Sequence, residues 1–451
     1  APMNVTKPIR SAQALHLNCL GRAARDPAAL RREFDAMVLY MKGSTALHHG
    51  EYVRSCYLPK LFTESQFAAL AADMRVLYGI FAKVTDAFFA DESYRALFRF
   101  DAAATDLVLH ADRRAALLPM ARIDFFYNDL TGDYTFCEFN TDGSSAMNED
   151  RELHNAQRLS ETYRTFTAAH HTRRCELFDS WVDTVLRIWQ RSGRGGAQPP
   201  AVAIVDYLEC GSVNEFEIFR RRFEARGLPA EVCDVRDLRF DGKALTGPAG
   251  RRIDVIYRRA VTSDVLRHLD ESQAMIRAAR AGAVLLLGDF HTQIVHNKEL
   301  FRVLHLPQTA ALLTPAERQY IHDHVPYTVE YTKDLAARVM AEKDRWILKP
   351  ADSYGSRGVH AGVESTPEQW RAIVAATPET GMLLQAFHRP FVSENYGYDA
   401  AGRFGRHRYY NLTGLYVYDG VPQGLYSRVA LTPVISSQYS EKTLPTLIVQ
   451  D

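Results

Sequence analysis

The sequence predicts a mixed α/β protein, and three observations lead to that class. Apolar residues recur at helical spacing in the first part of the chain, strand-forming residues flank a turn in its second part, and apolar strands then alternate with helices. The chain has 451 residues, of which 47% are hydrophobic, and this is enough for several buried cores. We therefore expect more than one domain.

Residues 1–115 are predicted to form a mainly helical region. Thr63 opens the sequence TESQ, which has the pattern of a capping box at the start of a helix. Apolar residues then recur every three or four positions, at Phe67, Leu70, Met74, Leu77, Phe81, Val84 and Phe88. Residues 31–41 show the same spacing, and a break is expected around Gly50 and Pro59.

Residues 116–192 are predicted to contain an antiparallel hairpin. Its strands are ARIDFFYN at 121–128 and YTFCEFN at 134–140, both rich in aromatic and β-favouring residues. The segment 129–133 between them has turn-forming residues. We expect the two strands to pair directly.

The hairpin carries its polar residues in a group. Because side chains alternate along a strand, Arg122 and Asp124 share one face, as do Glu138 and Asn140. A hairpin centred on Thr131 places Asp124 opposite Glu138 and Arg122 opposite Asn140. Two carboxylates and an amide oxygen are the hard ligands that magnesium prefers. The alternative is a solvated face on which Arg122 neutralises both acids without a metal.

Residues 200–295 predict a Rossmann-like parallel unit after a linker, SGRGGAQPP, at 192–200. Strands are expected at 201–206, 230–235, 253–259 and 283–288, and helices at 215–225 and 264–281. The first strand is followed by DYLECGSVNE rather than by a GxGxxG turn, and this disfavours an NAD-dependent enzyme.

Residues 296–451 predict a mixed region with strands at 345–350, 383–388, 408–419 and 424–431. Lys349 ends the first of these strands, and Gly355 and Gly358 punctuate the small-residue loop that follows. Glycine-rich backbone beside a lysine can close over phosphates, although an ordinary hairpin turn explains the loop equally well. The loop is not a P-loop, because it lacks the GxxxxGK pattern.

Three further residues are candidates for a binding site. Lys298 follows Asn297 after the parallel unit, and Gln385 in LLQAF has an amide that suits an adenine edge, but such residues are more commonly structural or solvated. Arg428 lies in a largely apolar strand and needs an anionic partner if it is buried. That partner is either a substrate or an internal carboxylate.

Charge and composition exclude several classes of protein. The chain has 54 basic and 54 acidic residues, so no global field recruits nucleic acid or an anionic membrane. The longest apolar run, 281–287, is far shorter than the roughly 20 residues that span a bilayer. The six cysteines form no CxxC pair and are expected to be reduced core thiols, and the histidines show no HExxH zinc spacing. We expect a cytoplasmic protein.

In chain order, Arg122 and Asp124, then Glu138 and Asn140 within CEFNTDGSSAMNE, then Asn297-Lys298 and the lysine–glycine loop resemble the glutathionylspermidine synthetase family of ATP-grasp ligases. The resemblance covers about residues 50–440. It implies a circularly permuted ATP-grasp fold, in which the metal-ligand strands come early and the lysine loop comes late. The Rossmann-like unit then serves as the substrate domain, and 296–451 contains the lid and the rest of the nucleotide site.

The resemblance also implies roles for individual residues. Asp124, Glu138 and Asn140 correspond to magnesium ligands, and Lys298 and Lys349 correspond to the lysines that bind the ATP phosphates. The residues implied for the phosphate lid and, last, for the adenine contact are Ser353, Tyr354, Gly355, Ser356, Gly358 and Gln385.

The substrate side of the site is implied in the same way. Arg122 matches the arginine that steadies the acyl phosphate, and Ser144 and Ser145 fall where the family places hydroxyls for its acid substrate. Arg428 falls in the late G-x-x-x-R motif. Related sequences carry glutamates at two positions where this chain has Asp352 or Ser353 and Ala386, which puts a third metal ligand from the loop in question.

We therefore expect an ADP-forming, ATP- and magnesium-dependent carboxylate–amine ligase that acts on small molecules through an acyl phosphate. Two alternatives stay open: an ATP-dependent phosphotransferase, and a nucleotide-binding regulatory protein without catalysis. The glutathione–spermidine substrate pair is not carried over, and neither the substrates nor the oligomeric state follow from the sequence.

Overall fold

Six strands form an antiparallel sheet, the central sheet, in the computed structural model of this protein. The model describes residues 6–48, 50–194, 198–351, 358–435 and 441–451, with side chains from Ala12 onward. The strands of the central sheet are Met120–Tyr127, Tyr134–Asn140, Val392–Tyr398, Phe404–Tyr418, Val421–Ala430 and Lys442–Leu444. The first two are the predicted hairpin, and its first strand pairs with the long strand Phe404–Tyr418. Segments from both halves of the chain therefore build one sheet.

The central sheet has one apolar and one polar face. Leu425, Leu415, Ile123 and Phe139 lie side by side on neighbouring strands and pack against the long helix Glu64–Ala90. Side chains alternate along each strand, so the next row of residues points the other way. We call that second side the polar face.

The polar face is defined by three rows of cross-strand partners. They are Tyr426, Gly414, Asp124 and Glu138 in the first row, Tyr416, Arg122 and Asn140 in the second, and Arg428 with Thr443 in the third.

The Rossmann-like unit is present as predicted. Its four parallel strands are Val202–Asp206, Ala230–Asp234, Val255–Arg258 and Leu285–Leu287, with the first strand between the second and third. Val202 and Ile204 belong to one buried cluster, and Ala203 and Val205 to another, so both faces of the sheet are covered. This explains why the strands are continuously apolar in sequence.

A second four-stranded sheet, the outer sheet, is antiparallel and consists of Thr328–Glu330, Trp346–Pro350, His360–Ala361 and Met382–Ala386. Trp346 and Leu348 pack into a core with the helices Ala336–Ala341 and Pro367–Ala376. Ile347 and Lys349 alternate with them and point to the other side, toward a cleft described below.

The N-terminal region is mainly helical, as predicted. Thr63 caps the helix Glu64–Ala90, and the capping box with Gln66 is formed. The strand Lys60–Thr63 just before it pairs in parallel with Thr446–Val449, and Thr172–Arg174 completes that sheet. The helical region is thereby joined to the last described part of the chain.

The other elements are short or peripheral. Two small sheets consist of Leu47–His48 with Glu51–Tyr52, and of Arg239–Phe240, Leu245–Thr246 and Arg252–Ile253. The remaining α-helices are Thr6–Ala23, Pro27–Lys42, Glu92–Arg95, Ala102–Leu109, Met147–Gln157, Glu161–Ala169, Asp179–Arg191, Val213–Ala225, Thr262–Arg267, Gln273–Arg280, Gln293–His296, Glu299–Val303, Pro307–Ala310 and Pro315–His324. The 3₁₀ helices are Ala96–Phe98, Val235–Asp237, Phe290–Thr292, Lys333–Leu335, Lys343–Arg345 and Gly362–Glu364.

Two predictions of detail are wrong. The single helix expected at 264–281 is two helices, and the hydroxyl of Ser272 between them donates to the carbonyl of His268 and exchanges a hydrogen bond with Tyr207. The cysteines are all free, but Cys210 is exposed rather than in the core. No helix within the described residues is long and apolar enough to cross a membrane.

Candidate functional site

The register of the hairpin confirms the predicted pairs. Asp124 lies opposite Glu138, and Arg122 lies opposite Asn140. Nearer the turn, however, Phe125 pairs with Phe136, so the register shifts by one residue and Cys137 is left over as a β-bulge. The assumed centre at Thr131 therefore holds only for the half of the hairpin that carries the polar residues.

Asp124 is enclosed by hydrogen-bond donors. Its carboxylate, 1% exposed, accepts from Arg122 Nε at 2.9 Å on Oδ1 and from Asn140 Nδ2 at 3.0 Å on Oδ2. Arg428 also donates to Oδ2 through Nη2. The partner that buried Arg428 needs is thus an internal carboxylate, and both oxygens of Asp124 are occupied.

The ring of Tyr426 lies beside both arginines. The guanidinium carbons of Arg122 and Arg428 lie 5.0 and 5.2 Å from its centroid, close enough for cation–π attraction. Gly414 makes room for the group, because a Cβ there would lie 2.6 Å from Asp124 Oδ1. We call Arg122, Asp124, Arg428 and Tyr426 the arginine clamp.

A cleft opens between the polar face and the outer sheet. The strands of the hairpin and the outer sheet supply half of its lining residues, and several of the predicted ATP residues are among them. Those lining residues are Glu138, Lys298, Lys349 and Gln385, together with Phe126, Thr135, Phe136, Cys137, Pro326, Ile347, Val359, Ala386, Phe387, His388, Leu412, Pro433, Val434 and Ile435.

The charges in the cleft are spaced more widely than those in the clamp. Lys298, just before the helix Glu299–Val303, places Nζ 3.7 Å from Glu138 Oε1. Burial raises the pKa of Glu138, but the positive charges of Lys298, His296, Lys349 and Arg122 outweigh this effect and hold the pKa below its usual value.

Burial lowers the pKa of Lys349, and Lys298 lowers it further, while Cys137 and Glu138 oppose the shift. Two lysines and one carboxylate thus meet in the cleft from segments far apart in sequence. This electrostatic arrangement suits a polyanion, since an added negative charge relieves the repulsion between the lysines.

The other predicted residues lie in or next to this region. Gln385 is buried at the wall of the cleft, and its amide donates to Thr328 Oγ1 at 2.9 Å. The hydroxyl of Ser144 donates to the carbonyl of Asn140 at 2.6 Å. The carbonyl of Ser145 accepts from Arg122 Nη1 at 3.2 Å.

Gly358 has a φ of 69°, a left-handed conformation that glycine adopts without strain. The predicted lid residues Ser353, Tyr354, Gly355 and Ser356 lie outside the described residues, as does Asp352.

The loop after Asn140 is fixed to the carboxyl edge of the parallel sheet by a buried ion pair between Asp142 and Arg258 at 2.7 Å. Glu215, on the helix Val213–Ala225 of the same unit, pairs with Arg259 at 3.0 Å and accepts from the backbone N–H of Asn148 at 3.1 Å. Gly143, with a φ of 69°, passes so close that a Cβ would lie 2.6 Å from the carbonyl oxygen of Arg259. The Rossmann-like unit and the polar face therefore meet at this loop.

Sequence reasoning missed a group of acids at the far end of the polar face. Glu149, in the first turn of the helix Met147–Gln157, accepts a hydrogen bond from Tyr426 Oη at 2.6 Å on Oε2. Glu441 lies 3.6 Å from Arg428 Nη1. We call Glu149, Glu441 and Tyr426 the acidic cluster. The only signal in the sequence was an acid near a helix start, which is too common to identify a site.

The residues of the cleft and of the polar face fit a nucleotide with bound magnesium only in part. The cleft has apolar walls and two lysines, which suit the base and the phosphates of a nucleotide. Glu138 and the amide oxygen of Asn140 suit magnesium, but Asp124 could ligate it only by giving up a hydrogen bond to an arginine or to Asn140. Among the described residues, no group of three or more His, Cys, Asp and Glu side chains is arranged to hold a metal ion.

No protein-family model and no curated protein matches this chain. Among solved structures, a glutathione synthetase-like effector from Globodera pallida resembles it with a TM-score of 0.63 and 11% identity, over 94% of this chain and 98% of the other. A putative γ-glutamylcysteine synthetase from Methylobacillus flagellatus KT gives a TM-score of 0.41 at 10% identity, over 86% and 89% of the two chains. D-alanyl-alanine synthetase A from Vibrio cholerae O1 gives 0.29 at 11%, over 55% and 88%.

The first of these likenesses extends over nearly the whole of both chains, and at such low identity it establishes the architecture alone. The chain has a mixed α/β fold similar to that of the glutathione synthetase-like effector, and the predicted fold class is confirmed.

Proposed function

We propose that the protein is an ADP-forming, ATP-dependent carboxylate–amine ligase that works through an acyl phosphate. One observation carries the proposal: a single cleft brings Glu138 of the early hairpin together with Lys298 and Lys349 of the late segments. The neighbouring polar face adds Arg122 in a fixed position.

ATP binds in the cleft in this proposal. The lysines Lys298 and Lys349 hold its phosphates, and Gln385 meets the adenine. A phosphate-binding role for the loop that ends at Gly358 stays a prediction. Ile347 and Leu412 on opposite walls offer apolar surface to the base. The predicted parts of the chain, 116–192 and 296–451, supply this site jointly, and 200–295 serves the substrate.

Magnesium bound with ATP would neutralise phosphate charge during transfer. Glu138 and Asn140 are the residues that hold it in our proposal, with Asp124 behind them. The role of Asp124 as a direct ligand stays a prediction, since its oxygens accept from Arg122, Arg428 and Asn140.

The substrate acid lies next to Arg122, above the polar face. Arg122 is held in one orientation by Asp124 and by the carbonyl of Ser145, so it can meet a developing negative charge without reorganising. Ser144 and Ser145 are nearby, although the hydroxyl of Ser144 already donates to the carbonyl of Asn140. The carboxylate attacks the γ-phosphate, and an amine then displaces phosphate from the acyl phosphate.

The structure gives no reason to choose the glutathione–spermidine pair over other small acids and amines. An ATP-dependent phosphotransferase would use the same cleft, and the experiment below separates the two reactions. The free cysteines are consistent with a reducing compartment, and we propose a cytoplasmic location.

The proposal is tested by ADP release from ATP and magnesium with mixtures of short peptides and amino acids as acids and of amino acids and polyamines as amines. We expect turnover that needs both an acid and an amine, and loss of it in Glu138→Gln and Asp124→Asn. Turnover that needs an alcohol instead would favour the phosphotransferase. ATP binding without turnover in any mixture would contradict an active ligase.

A further inference from the structure

The two lysines of the cleft belong to separate parts of the fold. Lys298 lies just before the helix Glu299–Val303, and Leu300 of this helix packs in the core on the apolar face of the central sheet. Lys349 lies on a strand of the outer sheet. A ligand that contacts both lysines therefore requires a fixed distance between the helix and the outer sheet.

Arg99 joins these two parts of the fold. Its Nη2 donates to Oε1 of Glu299, the first residue of the helix that follows Lys298, and its Nη1 donates to Oε1 of Glu330, the last residue of the outer-sheet strand Thr328–Glu330. The planar fork of donors on a guanidinium suits two carboxylates at once. The backbone of Arg99 has a φ of 56°, a left-handed conformation that is uncommon for a residue with a side chain. One arginine thus bridges the helix and the outer sheet.

The contact with the helix is the firmly held half of this bridge. Glu299 is 3% exposed, and its second carboxylate oxygen accepts from Arg302 Nε at 2.7 Å. Its backbone N–H donates to Asn297 Oδ1 at 2.9 Å. The two chain neighbours of Lys298 are therefore bonded to each other, and the bridge starts from a fixed point beside this lysine.

The contact with the outer sheet lies in the same row of residues as Lys349. Glu330 pairs with Leu383, and Leu383 pairs with Lys349 on the next strand. Directly paired residues share a face of a sheet, so Glu330 and Lys349 point to the same side, about 10 Å apart at two strand spacings. Gln385 and Ile347 lie two residues along on this side and line the cleft. A shift of Glu330 is therefore passed to Lys349 through the hydrogen-bonded sheet.

We propose that Arg99 is a positioning residue that sets the spacing between Lys298 and Lys349 and thereby adapts the cleft to a ligand with two or more adjacent phosphates. The inference rests on the proposed function and deepens it, because it makes the length of the phosphate chain a property that the protein selects. Arg99 is not among the described residues that line the cleft, so it acts only through Glu299 and Glu330.

Charge and position predict opposite results for a change at Glu330. Loss of this carboxylate removes a negative charge from the side of the outer sheet that faces the cleft, and by charge alone a polyphosphate should then bind more tightly. If Glu330 instead serves to hold the outer sheet in place, its loss should weaken the binding of the same ligand. The Glu330 side chain is 36% exposed, so a substitution there should leave the fold intact.

Calorimetric binding of ATP and of AMP to the full chain, with magnesium and without acid or amine, tests the proposal. In Glu330→Met we expect the Kd of ATP to rise about 10-fold, the size of one weakened charge-assisted contact. The Kd of AMP should stay within about twofold, since a single phosphate does not depend on the spacing of two lysines. Arg99→Met should weaken ATP to a similar degree, and the double variant should bind ATP no more weakly than Arg99→Met, because both changes remove the same bridge.

Arg371→Met is the matched control. Arg371 pairs with Glu368 at 3.1 Å, but both residues lie on the helix Pro367–Ala376, so this pair joins no separate parts of the fold. The variant should leave both Kd values unchanged. Tighter or unchanged ATP binding in Glu330→Met would overturn the inference, as would an equal loss of ATP and AMP affinity, which indicates general damage to the cleft. A wild type that binds neither nucleotide would instead contradict the proposed function itself.

Discussion

The arginine clamp and the cleft hold their charges in different ways. In the clamp, Asp124 is 1% exposed and each of its oxygens accepts from a guanidinium. In the cleft, Lys298 and Glu138 are 3.7 Å apart and the Glu138 side chain is 31% exposed. The clamp is satisfied within the protein, whereas the cleft leaves charge for a ligand. In our proposal, preorganised and ligand-binding charges therefore lie side by side on one sheet face.

Breaking the clamp should have the largest effect on stability. Arg428→Met removes a buried cation from Asp124 and Glu441, and we expect the unfolding free energy to fall by about 3–5 kcal/mol. Chemical denaturation measures this change. The control is Arg406→Met on the same sheet, where the pair with Glu394 is half exposed and about 0–1 kcal/mol is expected. Similar small losses in both variants would show that the clamp is not preorganised.

A change in the cleft should affect catalysis and spare stability. Glu138→Gln removes the carboxylate beside Lys298, and ADP release should fall about 100- to 1000-fold, the size of one lost electrostatic contact. The unfolding free energy should stay within about 0.5 kcal/mol, as for a substitution outside the core. A loss of stability as large as that of Arg428→Met would show that the cleft stabilises the fold as much as the clamp does.

Gly414→Ala tests the space under the clamp. The added methyl would lie 2.6 Å from Asp124 Oδ1 and 3.0 Å from Arg122 Cδ, and both side chains are held by their hydrogen bonds. We expect a loss of about 1–3 kcal/mol in the unfolding free energy, as for other overpacked sites. Gly405→Ala on the same strand meets His407 only at 3.6 Å and should be nearly neutral. Equal tolerance of both alanines would mean that the clamp can shift.

The smallest effect is expected from the pH dependence of Lys349. Burial lowers its pKa in the folded state, so the unfolded chain binds the proton more tightly. The unfolding free energy should therefore rise as the pH increases toward 10.5, the usual pKa of a lysine. Lys349→Met should flatten this rise while weakening ATP binding. Denaturation at neutral and mildly alkaline pH measures the slope, and an unchanged slope in the variant would show that Lys349 does not titrate as described.

The parts of this molecule that sequence predicts well are those with a local pattern. The capping box at Thr63 and the alternation of the hairpin strands depend on neighbouring residues, and both are formed. The parallel strands were readable because both faces are buried, which leaves continuous apolar runs. The bulge at Cys137 carries no such signal, so the predicted register is wrong by one residue in the half of the hairpin next to the turn.

The parts that sequence could not predict depend on contacts between distant segments. Arg428 and Asp124 are 304 residues apart, and nothing in either local sequence says that they pair. Tyr426 and Glu149 are 277 residues apart and were not recognised as a pair for the same reason. The strand Lys442–Leu444 has only three residues, two of them polar, and this pattern is too short to predict a strand, although it forms the edge of the central sheet beside the acidic cluster.

The most direct test of the ligase account follows one oxygen atom. If the acid mixture carries heavy oxygen in its carboxyl groups, attack on the γ-phosphate transfers one labelled oxygen to the phosphate that is released when the amine adds. The account predicts labelled inorganic phosphate in amounts that match amide formation, with none in Glu138→Gln. ADP release with unlabelled phosphate would contradict an acyl phosphate and with it the proposed ligase.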